Sequence, residues 1–392
     1  MGSTGPSSFL QQLVLQAQIL ANLQWLCEFQ VLACIPLDGE VAFEEVADIS
    51  NVPVDHLQRV VRLMTTAGFL REQTSGHVSH TALSASFVTE PDLLDAALFL
   101  AQVAVPAALK TSHMAHQSAP YSHDQLSAMA VQPEGRLMGL AGDFDPSQPK
   151  IHRQFAAYLA HGILDESSAV DEVLKLIDWD AIGATTVVDV HPQSTATVAK
   201  LAALAPAVQF IVQTSSPSNG HSGLMTGSDG GNGGPSWMTS HLPASIGNRV
   251  TVQTRPAAAS QTVLGAALYI LRIPSPSPGL SWATIRSQTI LELQAHLQVL
   301  RARSSSRLML TVLVIPPPGT IDQGTDAMVR VRELSLLQLT NERLPSKTEI
   351  IDLVTSIRDL AGGLVLSREI YAQASAATGL EVKYQPSNER GR

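Results

Sequence analysis

Residues 187–195 read Val187-Val188-Asp189-Val190-His191-Pro192-Gln193-Ser194-Thr195. Here residue type and spacing come closest to a chemistry, and that chemistry is nucleotide binding. The run 184–190 is β-branched and apolar with one acid near its end, the pattern of a buried parallel strand. Residues 209–213 repeat the pattern, and the helical stretch 196–204 between them completes a β-α-β unit. In such a unit the first turn is glycine-rich, because a backbone without Cβ can approach the ligand and adopt positive φ. In this chain the turn carries an imidazole at His191, a fixed ring at Pro192 and a β-branched side chain at Thr195, with Gln193 and Ser194 between them. The unit is kept while its ligand loop is degenerate, so no cofactor is expected.

Other groups that could do chemistry are scattered. His77 and His80 sit on an expected strand, where positions i and i+3 face opposite ways. His113, His116 and His123 have no Cys or acid at ligand spacing, so no metal site is expected. No G-x-S-x-G elbow accompanies the histidines, which removes the usual basis for serine hydrolysis.

The elements around these residues come from 392 residues that are 45% hydrophobic and 15% charged, enough for two globular domains with a large core. A formal charge of −9 argues against broad binding to phosphate backbones. Cys27 and Cys34, seven apart on one expected helical face, read as buried free thiols of a reducing compartment. Met1 and the residues after it lack a basic and then apolar leader, and Gln11, Gln12, Gln16, Gln18, Asn22 and Gln24 interrupt the uncharged run 9–27. A soluble intracellular protein without membrane contact is therefore expected.

Residues 9–34 predict one long helix, apolar around most of its circumference, to be buried against other helices or a second subunit. Residues 41–50, a turn at Asn51-Val52-Pro53, a helix over 54–67 and two short strands around Ser75-Gly76 spell a winged helix. Its base-reading candidates would be Asn51, Val54, Asp55, His56, Gln58, Arg59 and Arg62, although Glu40, Glu44, Glu45 and Asp48 precede them. Helices are expected over 84–89, 93–109 and 151–177, with a loose connection over 112–149. Strands follow near 186–190, 209–213, 249–253, 265–271, 307–315 and 379–385, with helices at 196–204, 283–302, 326–337 and 346–360. Residues 215–236, rich in Gly, Ser and Asn, read as a flexible insertion.

This layout resembles the fungal and plant small-molecule O-methyltransferases: helical dimerisation region, winged helix, then a Rossmann-like domain that binds S-adenosylmethionine. The segments 56–64, 67–70, 184–190, 210–213 and 334–341 carry the resemblance. It implies a fold class of α/β, with an N-terminal helical and winged-helix dimerisation domain followed by a class I methyltransferase-type domain whose cofactor loop is degenerate. Against that family's pattern the ribose acid is replaced around Thr214-Ser215. The acid after the third strand falls at Arg255-Pro256, and the catalytic His-Asp pair lands in 274–278. Methyl transfer needs a base and a held donor, so it is expected to be absent.

The segments 23–37, 76–81, 87–89, 93–96 and 334–341 are similar to the transcriptional co-activators of aflatoxin-type and related fungal aromatic-polyketide gene clusters. That resemblance implies a non-catalytic homodimer in nucleus and cytoplasm that works with a zinc-cluster transcription factor and meets DNA only indirectly. Domains are expected at 1–110, 111–178 and 179–392. The alternative is a cofactor-independent cyclase or pericyclase on the same scaffold. His152, His161 and Arg272 would then be catalytic, beside Arg153 and Lys347 in a polar cavity.

Overall fold

The computed structural model describes residues 5–117, 149–163, 165–192, 195–215, 244–277, 280–372 and 375–387. The chain divides into two compact units, Met1–Ile163 and Leu164–Arg392, so the expected connector is shared, with 149–163 in the first unit and 165–178 in the second.

The first unit opens with α1 (Pro6–Glu28). The helix expected to reach residue 34 stops there: Gln30 is left-handed (φ 55°) and leads into a 3-10 turn, Val31–Cys34. The turn redirects the chain, and Val31 and Leu32 on it are buried. Cys27 and Cys34 therefore do not share a helix; both are free thiols, and burial pushes the Cys27 thiol up to about 12. The strands β1 (Val41–Ala42), β2 (Leu70–Arg71) and β3 (His77–His80) form a sheet in the order β1-β3-β2, and α2 (Phe43–Ser50) and α3 (Val54–Thr66) lie between β1 and β2.

Helix α3 buries Leu57, Val60, Val61 and Met64, the i, i+3, i+4, i+7 stripe of an amphipathic helix, into one core with Leu26, Phe43 and Val78. After α4 (Ala82–Thr89) comes α5 (Pro91–Phe99), then a π-turn (Leu100–Ala104), then α6 (Val105–Gln117). The expected single helix over 93–109 is thus interrupted just before Pro106. Proline supplies no N–H there, and a widened turn is a common response. The span Pro91–Thr111 is long and apolar enough to cross a membrane by composition. It also carries the buried acid Asp95, which pairs with Arg153, and Phe99, whose ring lies 5.3 Å from that of Phe155. Arg153 and Phe155 belong to α7 (Pro149–Ala157), which ends in a second π-turn, Tyr158–Gly162.

The second unit starts with α8 (Glu166–Lys175), capped by the Asp165 side chain on the amides of Ser167 and Ser168, and the short α9 (Trp179–Ile182). The helix expected over 151–177 is therefore two helices, separated by an extended residue at Ile163. Next come β4 (Thr186–Val190), α10 (Thr195–Leu204), β5 (Gln209–Thr214), α11 (Ala244–Gly247), β6 (Val250–Thr254) and β7 (Leu268–Ile273). The chain continues through α12 (Trp282–Ala302), β8 (Arg307–Leu313), α13 (Gln323–Thr340), α14 (Lys347–Ser356), β9 (Gly362–Tyr371) and β10 (Ala377–Pro386).

These strands form a seven-stranded sheet in the order β6-β5-β4-β7-β8-β10-β9, parallel from β6 to β8 and antiparallel beyond. Both faces of the sheet are covered: one apolar cluster holds Val187, Phe210 and Ile270, the other Val188, Tyr269 and Leu310. Alternation along buried parallel strands places neighbours on opposite faces in this way. Strand β9 was not expected, because Ser367, Arg368 and Glu369 break the apolar pattern on what proves to be the sheet edge. It approaches β10 closely: a Cβ on Gly362 would meet the Gln385 carbonyl and lie 2.7 Å from the Tyr384 ring. Residues 216–243, which include most of the expected insertion, lie outside the described residues.

Candidate functional site

From β4 the chain builds outward to β5 and β6, then returns to lay β7 on the other side of β4. The strand order reverses at that point, and this architecture receives ligands beyond the carboxyl ends of the strands there. The degenerate loop begins with His191 in a left-handed conformation (φ 49°), its N–H donating to the Gln213 carbonyl at 2.8 Å. Pro192 is buried behind it, Gln193 and Ser194 lie outside the described residues, and Thr195 opens α10.

A network of buried polar side chains lies at the ends of β5 and β6. Arg255, 3% exposed, follows β6 directly. Its Nε donates to Gln213 Oε1 at 2.9 Å, its Nη1 to the Ala259 carbonyl, and its Nη2 to Glu292 Oε2 of α12 at 2.5 Å. Glu292 Oε1 accepts the Ala258 N–H at 2.5 Å and lies 3.4 Å from His191 Nε2. Burial works to raise the Glu292 carboxyl, but the contacts from His191, the Ala258 amide and Arg255 outweigh it and hold the group at about 2. Gln213 and Gln261 pair amide to amide, at 2.7 and 2.9 Å. Gln261 Nε2 also lies 3.0 Å from His296 Nε2, and His296 Nδ1 lies 2.7 Å from the Glu292 carbonyl. That carbonyl can only accept, so the network assigns the proton of His296 to Nδ1 and leaves Nε2 to accept from Gln261. Burial keeps this imidazole neutral, its pKa pushed down to about 4.

At the reversal itself, Asp189 of β4 is fully buried and bonded through both oxygens to Arg272 of β7, with the Nη2 to Oδ2 contact at 3.3 Å. The segment expected to hold a catalytic His-Asp pair has no such residues. Instead the Ser275 N–H donates to the Glu166 carboxylate at 3.1 and 3.3 Å, and Arg332 of α13 joins the same carboxylate at 3.1 Å.

Arg272 was an alternative catalytic residue, and its guanidinium is bound to Asp189. His152 is half-buried on α7 and His161 is exposed in the π-turn, both in the first unit. Arg153 pairs with Asp95, and Lys347 lies at the surface with Glu369 and Tyr371, 3.0 Å from each. Among the base-reading candidates, Asn51 is the left-handed cap of α2 (φ 53°) and Val54 packs against the core. Gln58 is half-buried, His56 lies with its ring 5.0 Å from that of Trp25, and Arg62 pairs with Glu72 at 3.3 Å; Asp55 and Arg59 are exposed. His80 pins the first unit together, with Nδ1 2.9 Å from Ser84 Oγ and Nε2 3.1 Å from the Leu32 carbonyl, and burial lowers its pKa. The side chains of His113 and His116, and all of His123, lie outside the described residues. Among the described residues no three His, Cys, Asp or Glu side chains converge to hold a metal.

Sequence reasoning missed Glu292, His296, Gln213 and Gln261. A signal for the first two was present: an acid and an imidazole at i, i+4 on the same stripe of α12 as Ile285, Thr289, Leu293 and Val299, all buried.

No family model matches the chain. It is 36% identical to the Dothistromin biosynthesis regulatory protein aflJ of Dothistroma septosporum, over 97% of this chain and 85% of the relative. It is 38% identical to the Aflatoxin cluster transcriptional coactivator aflS of Aspergillus parasiticus, over 99% and 87%. To the Monodictyphenone cluster transcriptional coactivator mdpA of Emericella nidulans it is 35% identical, over 98% and 86%. Among solved structures it is similar to the dimethyltransferase RosA from Streptomyces davawensis, with a TM-score of 0.62 at 15% identity over 97% of this chain and 100% of that one. Mitomycin 7-O-methyltransferase MmcR matches with a TM-score of 0.57 at 14% identity, over 97% and 98%. At such identities the structural likeness speaks for the fold: an N-terminal helical part followed by the mixed sheet of class I methyltransferases. On that fold, and at 35–38% identity over nearly its whole length, the chain belongs to the family of fungal gene-cluster transcriptional coactivators.

Proposed function

We propose that this chain is a non-catalytic coactivator of a fungal aromatic-polyketide gene cluster, acting in the nucleus with a zinc-cluster transcription factor. The observation that carries this reading is the combination of coactivator relatives over nearly the full length with a buried, internally paired Arg255 and Glu292 at the strand ends. Among the described residues, Arg272 is held by Asp189 and Glu292 by Arg255, so neither group is free to act on a ligand at the strand ends. The test is gene deletion with two readouts, cluster transcripts and accumulated intermediates. Lost transcripts are the expected result. Normal transcripts with one blocked intermediate would instead favour the cyclase or pericyclase reading.

Contact with DNA runs through the activator. The chain is acidic overall, and the outward face of α3 offers Arg59 beside Asp55, with Arg62 already paired to Glu72. Binding to phosphates without a partner needs more positive charge than that.

The homodimer is supported by the first half of α1, where Phe9, Leu10, Leu13, Val14 and Leu15 are 46–62% exposed. Contiguous apolar surface of this kind marks an association site. Joint substitution Leu10→Glu and Val14→Glu is expected to give a folded monomer in light scattering at concentrations where the wild type is a dimer. An unchanged dimer would move the interface elsewhere.

A further inference from the structure

We infer that the crevice at the ends of β4, β5 and β6 carries its ligand as part of the chain. The Arg255 guanidinium, countered by Glu292, stands where a dissociable cofactor would bind, and it fastens α12 and the segment 255–263 to the strand ends. Each donor position of Arg255 engages a different structural part: Gln213 on β5 through Nε, the Ala259 carbonyl of its own loop through Nη1, and Glu292 on α12 through Nη2. Both charged groups are almost fully withdrawn from water, with side chains 3% and 8% exposed. A buried charge of either sign is tolerated only when it is paired and hydrogen-bonded, so neither residue can leave without stranding the other.

The loop also bears a local strain that this pairing maintains. Ala258 has φ 62°, a left-handed conformation unusual for alanine, and its N–H is bound by Glu292. Residues persist in such regions where their surroundings over-determine them. Beyond Ala258, Gln261 ties the loop to Gln213 on β5 and, through His296, to the next turn of α12. The network therefore joins three parts at the strand ends: β5, the loop after β6 and the helix after β7. In this chain side chains hold them at all times, whether or not the protein activates transcription.

The test is Arg255→Ala in the full chain, read by hydrogen exchange and by thermal melting with and without methylguanidinium. The variant leaves a polar void shaped for a guanidinium group, and a void of that kind can be filled by a small polar ligand. Amides of 255–263 and of the 285–296 stretch of α12 are expected to exchange on the order of tenfold faster or more, while β8 and β10 change little. Millimolar methylguanidinium is expected to raise the melting temperature of Arg255→Ala and not that of the wild type.

Wild-type protection in Arg255→Ala would overturn the inference, as would an equal response of both proteins to methylguanidinium. If Arg255→Ala does not fold, Glu292→Gln keeps the shape and removes the counter-charge. Faster exchange at the Ala258 amide and its neighbours is then expected, and unchanged exchange overturns the inference. Saturable stabilisation of the wild type by S-adenosylmethionine would overturn it too, because the inference puts the Arg255–Glu292 pair in that ligand's place.

Discussion

Arg272→Ala is expected to destabilise the second unit by about 3–5 kcal/mol, the usual cost of removing one partner from a buried ion pair. The size follows from the surroundings of Asp189, which has no exposed surface and sits on β4 between β5 and β7. Its carboxylate would be left buried without the guanidinium that both of its oxygens contact. Chemical denaturation followed by tryptophan fluorescence measures the loss. The double replacement Asp189→Leu with Arg272→Met should recover most of it, because two apolar groups of similar volume leave neither an uncompensated charge nor an unpaired polar group. This result also separates a structural Arg272 from a catalytic one. A catalytic guanidinium could be removed with little effect on folding, so a change below about 1 kcal/mol would return Arg272 to the list of reacting groups.

Acid is expected to weaken the protein at mildly low pH, before general carboxylate protonation. His296 is neutral in the folded state, pushed down from 6.5 to about 4 chiefly by burial and also by the nearby Arg255 and His191, while Glu292 acts in the other direction. A depressed folded pKa stabilises the native state above the unfolded value, and that stabilisation is lost as pH falls from about 6.5 toward about 4. For a shift of this size the loss is on the order of 3 kcal/mol. Protonation has a geometric consequence as well. A proton on Nε2 would face the Gln261 amide nitrogen, donor against donor, and turning that amide would break its pair with Gln213. Glu292 adds to the effect at lower pH, its stabilisation being present above 4.5 and lost toward about 2. Denaturation midpoints measured between pH 7.5 and 4 should therefore fall in the wild type and fall less in His296→Gln. Equal slopes in the two proteins would assign the acid sensitivity to other groups.

The second unit's parallel strands, the amphipathic α3 and the defect in the cofactor loop are legible in the sequence. Each of these is written locally: β-branched runs at 186–190 and 209–214, an apolar i, i+3, i+4, i+7 stripe at 57–64, and His191-Pro192 where glycine is needed. Periodicity and backbone freedom act over a few residues, so a linear reading detects them. It did not detect where α1 breaks, because Gln30 turns left-handed to bury Val31 and Leu32 in a core assembled from distant residues such as Phe43 and Val78. Nor did it detect β9, whose polar Ser367, Arg368 and Glu369 are admissible only at a sheet edge, and edge position is a property of the finished sheet.

The partners of the buried charges were decided by tertiary structure alone. Asp189 meets Arg272 across 83 residues because strand order places β7 beside β4, and Arg255 meets Glu292 across 37 because the segment after β6 packs against α12. An acid on a strand or an arginine after one looks the same in sequence whether it binds a ligand or another side chain. Burial without water forces the pairing, and which groups are buried together depends on how the strands are ordered and how the helices cross them.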